Sequence, residues 1–292
     1  MVLSVIVTSY NSPKTLELCL ESLAAQPEAG EMVVADCSRV NPGPELSRKF
    51  PNVKFLHFPE RHSVPVLRWA AFCETHGDVV AAVEARCVPH GDWCALLAAA
   101  HLAHPDVPAI GGPVAPAEAS SRRDLGMFFC EYGLYAPPVT EGNSVDLSGA
   151  NLSYKRTALL ALKDMLDAGS WETLIHDRWR RAGLSLRLSS ATVVFHNSMP
   201  LGIALQQRFW YGWGYSADRM ATRSRAASFL FAAASPMLPF LLTRRLWRAA
   251  KQKHLTSPFR GALGWTFLFQ SAWAAGECCG YLFGRLRRER VF

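Results

Sequence analysis

The sequence is short of charge, and the charge that it has is unevenly placed. Charged residues make up 19% of 292, below the roughly 25% of ordinary globular domains, while 50% are hydrophobic. This composition excludes disordered and collagenous chains. Acidic residues are nearly missing from residues 201–292, which hold 3 against 14 basic ones (net +11), whereas residues 1–200 hold 21 against 17 (net −4). A basic, apolar end favours an anionic membrane surface as partner.

Other absences narrow the class further. The eight cysteines form no Cys-x-x-Cys pair and no zinc-finger spacing, so we expect buried thiols in a reducing cytosol. The apolar run Val2–Val7 has no basic region before it and no small-residue cleavage site after it, so no secretory signal is expected. Nothing in the basic part resembles a nucleic-acid reading motif, and we expect no nucleic-acid partner.

Strands and helices alternate through the first 114 residues. Apolar, β-branched runs predict strands, and Ser or Asp residues before apolar periodic segments predict helix starts. Such alternation predicts a mostly parallel sheet with helices on both faces, in which ligands bind at the carboxyl ends of the strands. The predicted strands cover residues 2–8, 31–36, 53–58, 78–84 and 107–114, with helices beginning at Ser12, Ser63 and Asp92.

The pattern changes after residue 114. Residues 115–147 lose their period and contain Pro137-Pro138, which predicts loops. Helices are predicted over residues 157–167 and 171–182, and a last strand over residues 184–195 that leads to His196.

Several motifs together resemble the inverting family 2 glycosyltransferases of the GT-A fold, over roughly residues 2–215. The resemblance implies an α/β fold, a Rossmann-like nucleotide-binding mixed sheet with helices on both faces, followed by C-terminal hydrophobic helices. In chain order the motifs are Ser4–Asn11 (first strand and nucleotide loop), Val33–Ser38 (second strand and acidic pair), Gly77–Arg86 (Asp-x-Asp region), Ser148–Tyr154 (acceptor loop) and Trp171–Gly183 (catalytic carboxylate).

This resemblance implies three parts of the chain. Residues 1–114 form the nucleotide-sugar-binding half and residues 115–215 the acceptor and catalytic half of one glycosyltransferase domain. Residues 216–292 form a basic, hydrophobic helical region for membrane association.

The resemblance also implies a set of donor-binding residues. Asp36 stands where the family reads the N3 proton of uracil, which suits a UDP- or dTDP-linked donor, while Ala35 replaces the other acid of the usual pair. Arg208, in the partial Gln-x-x-Arg-Trp element Gln206–Trp210, is placed at the diphosphate. The compressed spacing of that element favours a single addition over polymerisation. The full donor set is Thr8, Tyr10, Asn11, Asp36, Arg68, Glu84, Arg86 and Arg208.

The Asp-x-Asp region departs from the family pattern. In the family that the motifs resemble, carboxylate oxygens of this region hold a divalent cation, Mg²⁺ or Mn²⁺, against the diphosphate. Here the second acid is replaced by Arg86, which leaves Glu84 and His196 as candidate ligands. A guanidinium repels a nearby metal and can itself pair with phosphate, so Arg86 competes with the cation for this role.

Glu172 is the candidate general base, at a position where the family usually has an aspartate. Its role requires only a carboxylate within hydrogen-bond reach of the acceptor hydroxyl. His176 and Asp177, one turn further on, are the rival candidates. The resemblance adds Gly149, Asn151, Trp171 and Trp210 as acceptor-binding residues.

Two apolar stretches in the C-terminal region approach the length of a membrane span. They lie between Arg225 and Arg244 and between Arg260 and Arg285. A two-span hairpin would leave the connecting basic cluster outside the cell, against the positive-inside tendency. We therefore expect helices that lie in the interface at the cytoplasmic face of the inner membrane. A spanning hairpin, and buried helices or a homodimer interface, are the alternatives.

Three functions remain open. The first is an inverting glycosyltransferase that moves one sugar from a UDP- or dTDP-linked donor to a lipid-linked or membrane-proximal acceptor. The second is a soluble tailoring glycosyltransferase with a helical dimer interface. The third, suggested by Ala35, Arg86 and Glu172 together, is a weakened nucleotide-sugar-binding or scaffold protein.

Overall fold

The computed structural model describes residues 2–197, 199–220 and 224–284. The chain divides into two compact units. Unit 1 is Met1–Ala117 with Tyr135–Ser198, and unit 2 is Glu118–Leu134 with Met199–Phe292. This division differs from the predicted boundary at residue 215, because the whole helix that follows residue 200 belongs to unit 2.

Unit 1 is built on an eight-stranded mixed sheet in the order β3-β2-β1-β4-β9-β6-β10-β8. The first four of these strands are parallel, β9 is antiparallel to both β4 and β6, β10 is parallel to β6, and β8 is antiparallel to β10. The strands are β1 (Leu3–Ser9), β2 (Met32–Asp36), β3 (Val53–His57), β4 (Val79–Glu84), β6 (Ala109–Gly111), β8 (Gly142–Ser144), β9 (Asn151–Lys155) and β10 (Leu186–Leu188).

A second, three-stranded sheet lies in the order β5-β11-β7. It consists of β5 (Cys87–Pro89), β7 (Val114–Pro116) and β11 (Val193–Phe195). The predicted single strands over residues 107–114 and 184–195 are therefore wrong in extent. Each run is divided between the two sheets, because its first part pairs in the large sheet and its end in the small one.

The helices of unit 1 connect the strands. Two short helices replace the single one predicted over residues 157–167. The helices are α1 (Pro13–Ala24), α2 (Gly43–Lys49), α3 (Val64–Cys73), α4 (Trp93–Ala103), α6 (Arg156–Leu160), α7 (Lys163–Asp167) and α8 (Glu172–Arg181).

The core of unit 1 follows from the strand sequences. Every residue of β1 and β2 is buried, as expected for parallel strands that are covered on both faces. Cys19, Cys37, Cys87 and Cys94 are buried in this unit, and no disulfide forms among the eight cysteines, whereas Cys73 is exposed.

Unit 2 is helical. It contains α5 (Arg122–Tyr132), α9 (Leu201–Met220), α10 (Arg225–Ala234), a 3-10 turn (Ser235–Met237), α11 (Leu238–Gln252) and α12 (Thr256–Phe283). Helix α5 lies in the segment predicted to be loops. Its start was readable from the sequence as a capping box, since Ser121 Oγ accepts from Asp124 N while the Asp124 carboxylate accepts from Ser121 N.

Helices α9 and α12 pack backbone to backbone. A Cβ added at Gly276 would lie 1.9 Å from the carbonyl oxygen of Phe209, and one at Gly212 would lie 2.2 Å from that of Trp273. Only glycine permits such an approach. The apolar stretch after Arg260 therefore packs against α9 and also contacts α5 and α11, which cover part of it, while Leu268 and Phe283 stay exposed.

Candidate active site

The carboxyl ends of β1, β2 and β4 meet at one edge of the sheet. In the register of the parallel strands, Thr8 lies beside Ala35 on one side and Glu84 on the other. Ser9 lies beside Asp36. The Oγ1 of Thr8 and the Oγ of Ser9 are buried and have no hydrogen-bond partner among the described residues. Polar side chains from three strands therefore lie together where this sheet type binds ligands.

Asp36 is the centre of a hydrogen-bonded cluster at the end of β2. Its buried carboxylate accepts from Ser38 N at 2.9 Å and from Ser38 Oγ at 2.6 Å, and His57 Nδ1 lies 3.0 Å away. Asn11 N donates to Ser38 Oγ, and Asn11 itself has a φ of 46°. A carboxylate has about four lone-pair sites, so Asp36 keeps capacity for one further donor.

Tyr10 follows β1, and the side chain of Arg61 lies over its ring. The guanidinium of Arg61 lies 4.2 Å from the ring centroid, within the range of a cation–π contact. Tyr10 precedes Asn11, whose backbone N donates to Ser38 Oγ in the Asp36 cluster. The Tyr10 ring and the Arg61 guanidinium therefore lie close to that cluster.

Arg68, on α3, joins two carboxylates from distant parts of the chain. Its Nη1 donates to Glu172 Oε2 at 2.9 Å, and its Nη2 lies 3.3 Å from Glu84 Oε1 and donates to Gly149 O at 2.6 Å. Burial by itself lowers the pKa of Arg68, but Glu172 and Glu84 outweigh it and the net pKa is raised. We call Arg68, Glu84 and Glu172 the strand-end cluster; its net charge is −1.

Gly149 is required for this arrangement. A Cβ at this position would lie 2.3 Å from Glu172 Oε1 and 3.0 Å from Arg68 Nη2. The loop backbone therefore approaches the carboxylate as closely as it can, and any larger residue would displace Glu172.

Arg86 follows β4, two residues after Glu84. It is 9% exposed, and its guanidinium lies 5.5 Å from the centroid of the Phe195 ring. His196 N donates to Arg86 O at 2.7 Å, which places the two residues side by side. Burial lowers the pKa of the His196 imidazole.

The two rival bases are committed to other contacts. His176 is fully buried, with Nδ1 2.6 Å from Asp146 Oδ1 and Nε2 3.1 Å from the Tyr154 hydroxyl. Asp177 forms ion pairs with Arg180 and Arg181 on its own helix. Glu172 Oε1, by contrast, accepts no hydrogen bond from the described residues.

The structure separates the predicted acceptor residues. Trp171 is the N-cap residue of α8 and adjoins Glu172. Asn151 is fully buried: its amide nitrogen donates to Pro113 O and Ala191 O, and its oxygen accepts from Trp93 Nε1. This arrangement differs from the predicted acceptor contact, because all the groups of the amide are used to join parts of unit 1.

Arg208 and Trp210 lie in unit 2. Arg208 is 5% exposed, donates to Gln270 Oε1 at 3.3 Å and lies 4.6 Å from the Trp273 ring centroid. Trp210 contacts the rings of Phe209 and Trp213. Both side chains therefore have packing partners within the helical unit.

Sequence reasoning missed three residues at the site. Arg61 left no local signal, and Tyr154 was included in the acceptor-loop motif without a role of its own. His57 follows from pairing β2 with β3 in register, which sets it beside Asp36. Tyr154 lines a cavity of about 40 Å³ together with Arg68 and Glu172. Burial, followed by the charge of Glu172, raises the pKa of the Tyr154 phenol, so this group is a neutral hydrogen-bonding partner.

The chain belongs to glycosyl transferase family 2, whose sequence profile matches residues 4–161. The matched segment includes Asp36, Glu84 and Gly149 and ends before Glu172. It is a glycosyltransferase, and the predicted GT-A fold is confirmed. None of the curated protein sequences matches the chain.

Solved structures share this fold at low sequence identity. The mannosyltransferase PcManGT from Pyrobaculum calidifontis, solved with GDP-Man and Mn²⁺, is 18% identical with a TM-score of 0.60, and the alignment covers 97% of this chain and 87% of that one. GalNAc-T7, solved with UDP, GalNAc and Mn²⁺, is 14% identical with a TM-score of 0.53, over 76% of this chain and 52% of that one.

The residues present do not fit a cation of the kind in those two structures. The Glu84 carboxylate is already paired with Arg68, and the motif resemblance puts a cation, Arg86, where a second acidic ligand would be expected. Across residues 2–197, 199–220 and 224–284, no three His, Cys, Asp or Glu side chains are grouped to hold a metal.

Proposed function

We propose that the protein transfers one sugar, with inversion, from a UDP- or dTDP-linked donor to a lipid-linked or membrane-proximal hydroxyl. The observation that supports this most directly is the strand-end cluster, in which Arg68 and Gly149 fix Glu172 beside Glu84 at the carboxyl end of β4.

Glu172 serves as the general base. Arg68 holds Oε2, so Oε1 receives the proton of the acceptor hydroxyl. The acceptor oxygen then attacks the anomeric carbon from the side opposite to the diphosphate. The bond from that carbon to the diphosphate oxygen breaks, its electron pair leaves with the nucleoside diphosphate, and the configuration is inverted.

Asp36 selects the base of the donor. Its carboxylate, oriented by Ser38 and His57, has room for the N3 proton of uracil or thymine, and the Tyr10 ring with Arg61 provides a flat surface nearby. A thermal-shift comparison of UDP, dTDP and GDP tests this selection, since a ligand that binds the native state raises its melting temperature. We expect Asp36→Ala to lose the preference for UDP and dTDP, and an unchanged preference would contradict it.

Glu172→Gln tests the base. It keeps the size and one acceptor oxygen but cannot take a proton, so we expect transfer to fall by about 10²- to 10⁴-fold. Binding of UDP should be unchanged. Asp177→Asn is the matched control on the same helix and should transfer at the wild-type rate. Wild-type transfer by Glu172→Gln would contradict the assignment.

Membrane association is the second part of the proposal. An apolar surface on α10, the 3-10 turn and α11 consists of Phe229, Leu230, Met237, Phe240 and Leu241, each more than half exposed. On α11 the same face continues into Arg244, Arg248 and Lys251, since residues four apart lie on one side of a helix. An exposed apolar surface that continues into basic residues is typical of a helix in the interface of an anionic bilayer.

A position on the membrane fits better than a span. Among the described residues, only Arg225–Gln252 forms a helical segment long and apolar enough to cross a bilayer. Of the 18 consecutive residues that make it apolar enough, 17% are buried. It packs against α12, which is held in turn by α9 and α5. A crossing segment would take these less apolar neighbours into the bilayer with it. The cytoplasmic face of the inner membrane is the location that we propose.

Sedimentation with lipid vesicles tests this part. Full-length protein should bind vesicles of phosphatidylcholine with phosphatidylglycerol more tightly than phosphatidylcholine alone, because each basic residue contributes about 1 kcal/mol at an anionic surface. The double variant Leu230→Ser with Phe240→Ser should bind at least about tenfold more weakly. Leu102→Ser, at an exposed leucine of α4, is the matched control. If the protein formed a dimer in solution and did not bind vesicles, the result would favour the soluble glycosyltransferase with a helical dimer interface.

A further inference from the structure

Three paired residues form one row across the ends of β1, β2 and β3. The register sets Ser9 beside Asp36 and Asp36 beside His57. Residues that pair across neighbouring strands point to the same face of a sheet, so these side chains lie side by side. Ser9 Oγ is buried and has no hydrogen-bond partner among the described residues. The row therefore places an unpaired hydroxyl next to a carboxylate.

The first oxygen of that carboxylate is fully used. Asp36 Oδ1 accepts from Ser38 N at 2.9 Å, and His57 Nδ1 lies 3.0 Å from the same oxygen. A carboxylate offers only lone pairs, so His57 Nδ1 must carry the hydrogen and act as the donor. Both lone pairs of Oδ1 are therefore occupied, one by the backbone and one by His57.

The second oxygen keeps one lone pair. Ser38 Oγ lies 2.6 Å from Asp36 Oδ2, and it also accepts from Asn11 N at 2.7 Å. The single hydrogen of the Ser38 hydroxyl is therefore the one donated to Oδ2. A ligand at this row meets one acceptor, Asp36 Oδ2, and one donor, the Ser9 hydroxyl.

Uracil and thymine match this pattern, and guanine does not. Uracil and thymine present one N–H between two carbonyl oxygens, which suits Asp36 Oδ2 and the Ser9 hydroxyl. Guanine presents N1–H and an N2 amine on one edge, and a carboxylate binds both groups only through both of its oxygens. With Oδ1 occupied, the N2 amine would lose its water and find no acceptor, which weakens binding.

We propose that His57 is the residue that excludes guanine from the donor site, because its hydrogen bond to Asp36 Oδ1 fills the lone pair that the N2 amine needs. The inference rests on the proposed function, since it assumes a nucleoside diphosphate donor. Asp36 binds the base that fits, and His57 removes the acceptor for the base that does not.

Inosine diphosphate (IDP) isolates this contact, because its base has the ring system and N1–H of guanine without the N2 amine. Competition against UDP on the full-length protein gives dissociation constants for GDP and IDP. We expect IDP to bind about tenfold more tightly than GDP. Equal affinity for the two would overturn the inference and, with UDP bound, leave the proposed function intact. No binding of UDP would overturn both.

Variants at His57 test the residue. His57→Ala frees the lone pair, so the ratio of the GDP to the IDP dissociation constant should fall from about 10 to about 1 or below. His57→Asn should keep the wild-type ratio, since its amide N–H can take the place of Nδ1–H.

His76→Ala is the matched control and should also keep the wild-type ratio. His76 Nδ1 lies 2.8 Å from Glu31 Oε1, before β2 begins, so this variant removes a contact of the same kind away from the strand ends. Melting temperatures show whether each variant folds. A wild-type ratio in folded His57→Ala, equal ratios in His57→Ala and His57→Asn, or no competition by either purine in wild type and His57→Ala would overturn the inference.

Discussion

The two units each bury a charged group, and they satisfy it in different ways. In unit 1, the strand-end cluster joins Arg68 to Glu84 and Glu172, which lie 16 and 104 residues away in the sequence. In unit 2, Glu277 accepts from Trp273 Nε1 and from the Tyr281 hydroxyl, which belong to the same helix, and Arg219 donates to that hydroxyl. We call Glu277, Trp273, Tyr281 and Arg219 the helix cluster.

The difference separates a binding site from a structural contact. The side chains of Glu84 and Glu172 remain 20% and 15% exposed, and Glu172 Oε1 accepts no hydrogen bond from the part of the chain that the structure describes. Glu277 is 4% exposed, and both of its oxygens are used by neutral donors one turn away in each direction. A carboxylate in a long-range ion pair at a strand end can still face a substrate. A carboxylate whose two oxygens accept hydrogen bonds from its own helix has no oxygen left to contact one.

Arg68→Met should have the largest effect on stability. Removing one partner of a buried ion pair leaves the others uncompensated and costs about 3–5 kcal/mol. Urea unfolding measures the loss. Adding Glu84→Gln to Arg68→Met should recover part of it, because one uncompensated charge is removed, and a double variant no more stable than the single one would contradict the cluster.

Glu277→Gln should cost about 1–3 kcal/mol in the same assay, since the amide keeps one acceptor and leaves either Trp273 or Tyr281 without its partner. Transfer in detergent or on vesicles should stay at the wild-type rate under conditions where the protein is folded. Loss of transfer without loss of stability would mean that the helix cluster, like the strand-end cluster, belongs to a site.

Gly276→Ala tests the packing that encloses the helix cluster. The new Cβ would meet Phe209 O, and overpacking of this kind costs about 1–3 kcal/mol. Gly264→Ala on the same helix is the matched control, because its Cβ would meet nothing within 4 Å. There the substitution should stabilise the protein by about 0.4–1 kcal/mol. Equal effects at the two positions would contradict the close packing of α9 on α12.

Arg219→Met should have the smallest effect. Arg219 is exposed and donates to Tyr281 rather than to Glu277, so its loss should cost about 1 kcal/mol or less. A cost as large as that of Arg68→Met would show that both clusters depend on their arginine, and the distinction between them would fail. Urea midpoints for the two variants, measured side by side, decide this.

Much of unit 1 could be predicted because its signals are local. The apolar runs gave β1, β2, β3 and β4 to within one or two residues, and the residue types at their ends placed Asp36 and Glu84 at the site. The runs after residue 105 were predicted less well, because strands of three residues show no period.

The site was predicted in its residue types and not in its contacts. Glu172 and Arg68 were both named, but their ion pair depends on how α3 and α8 pack against the sheet. Asn151 was chosen for its position in a motif, yet the turn of the chain after β6 buries it completely. A short motif shows which groups are present, and only packing shows which of them face a ligand.

The sequence by itself determined the positions of the first four strands along the chain, the family and the division of charge between an acidic first part and a basic second part. The tertiary structure decided which of two similar apolar stretches packs backbone to backbone against another helix. Glycines at Gly212 and Gly276 let α12 approach α9 closely, while α10 and α11 keep Phe229, Leu230, Phe240 and Leu241 more than half exposed. Hydropathy is a property of one segment, whereas packing depends on two segments that meet in the fold. Packing could therefore not be predicted from hydropathy.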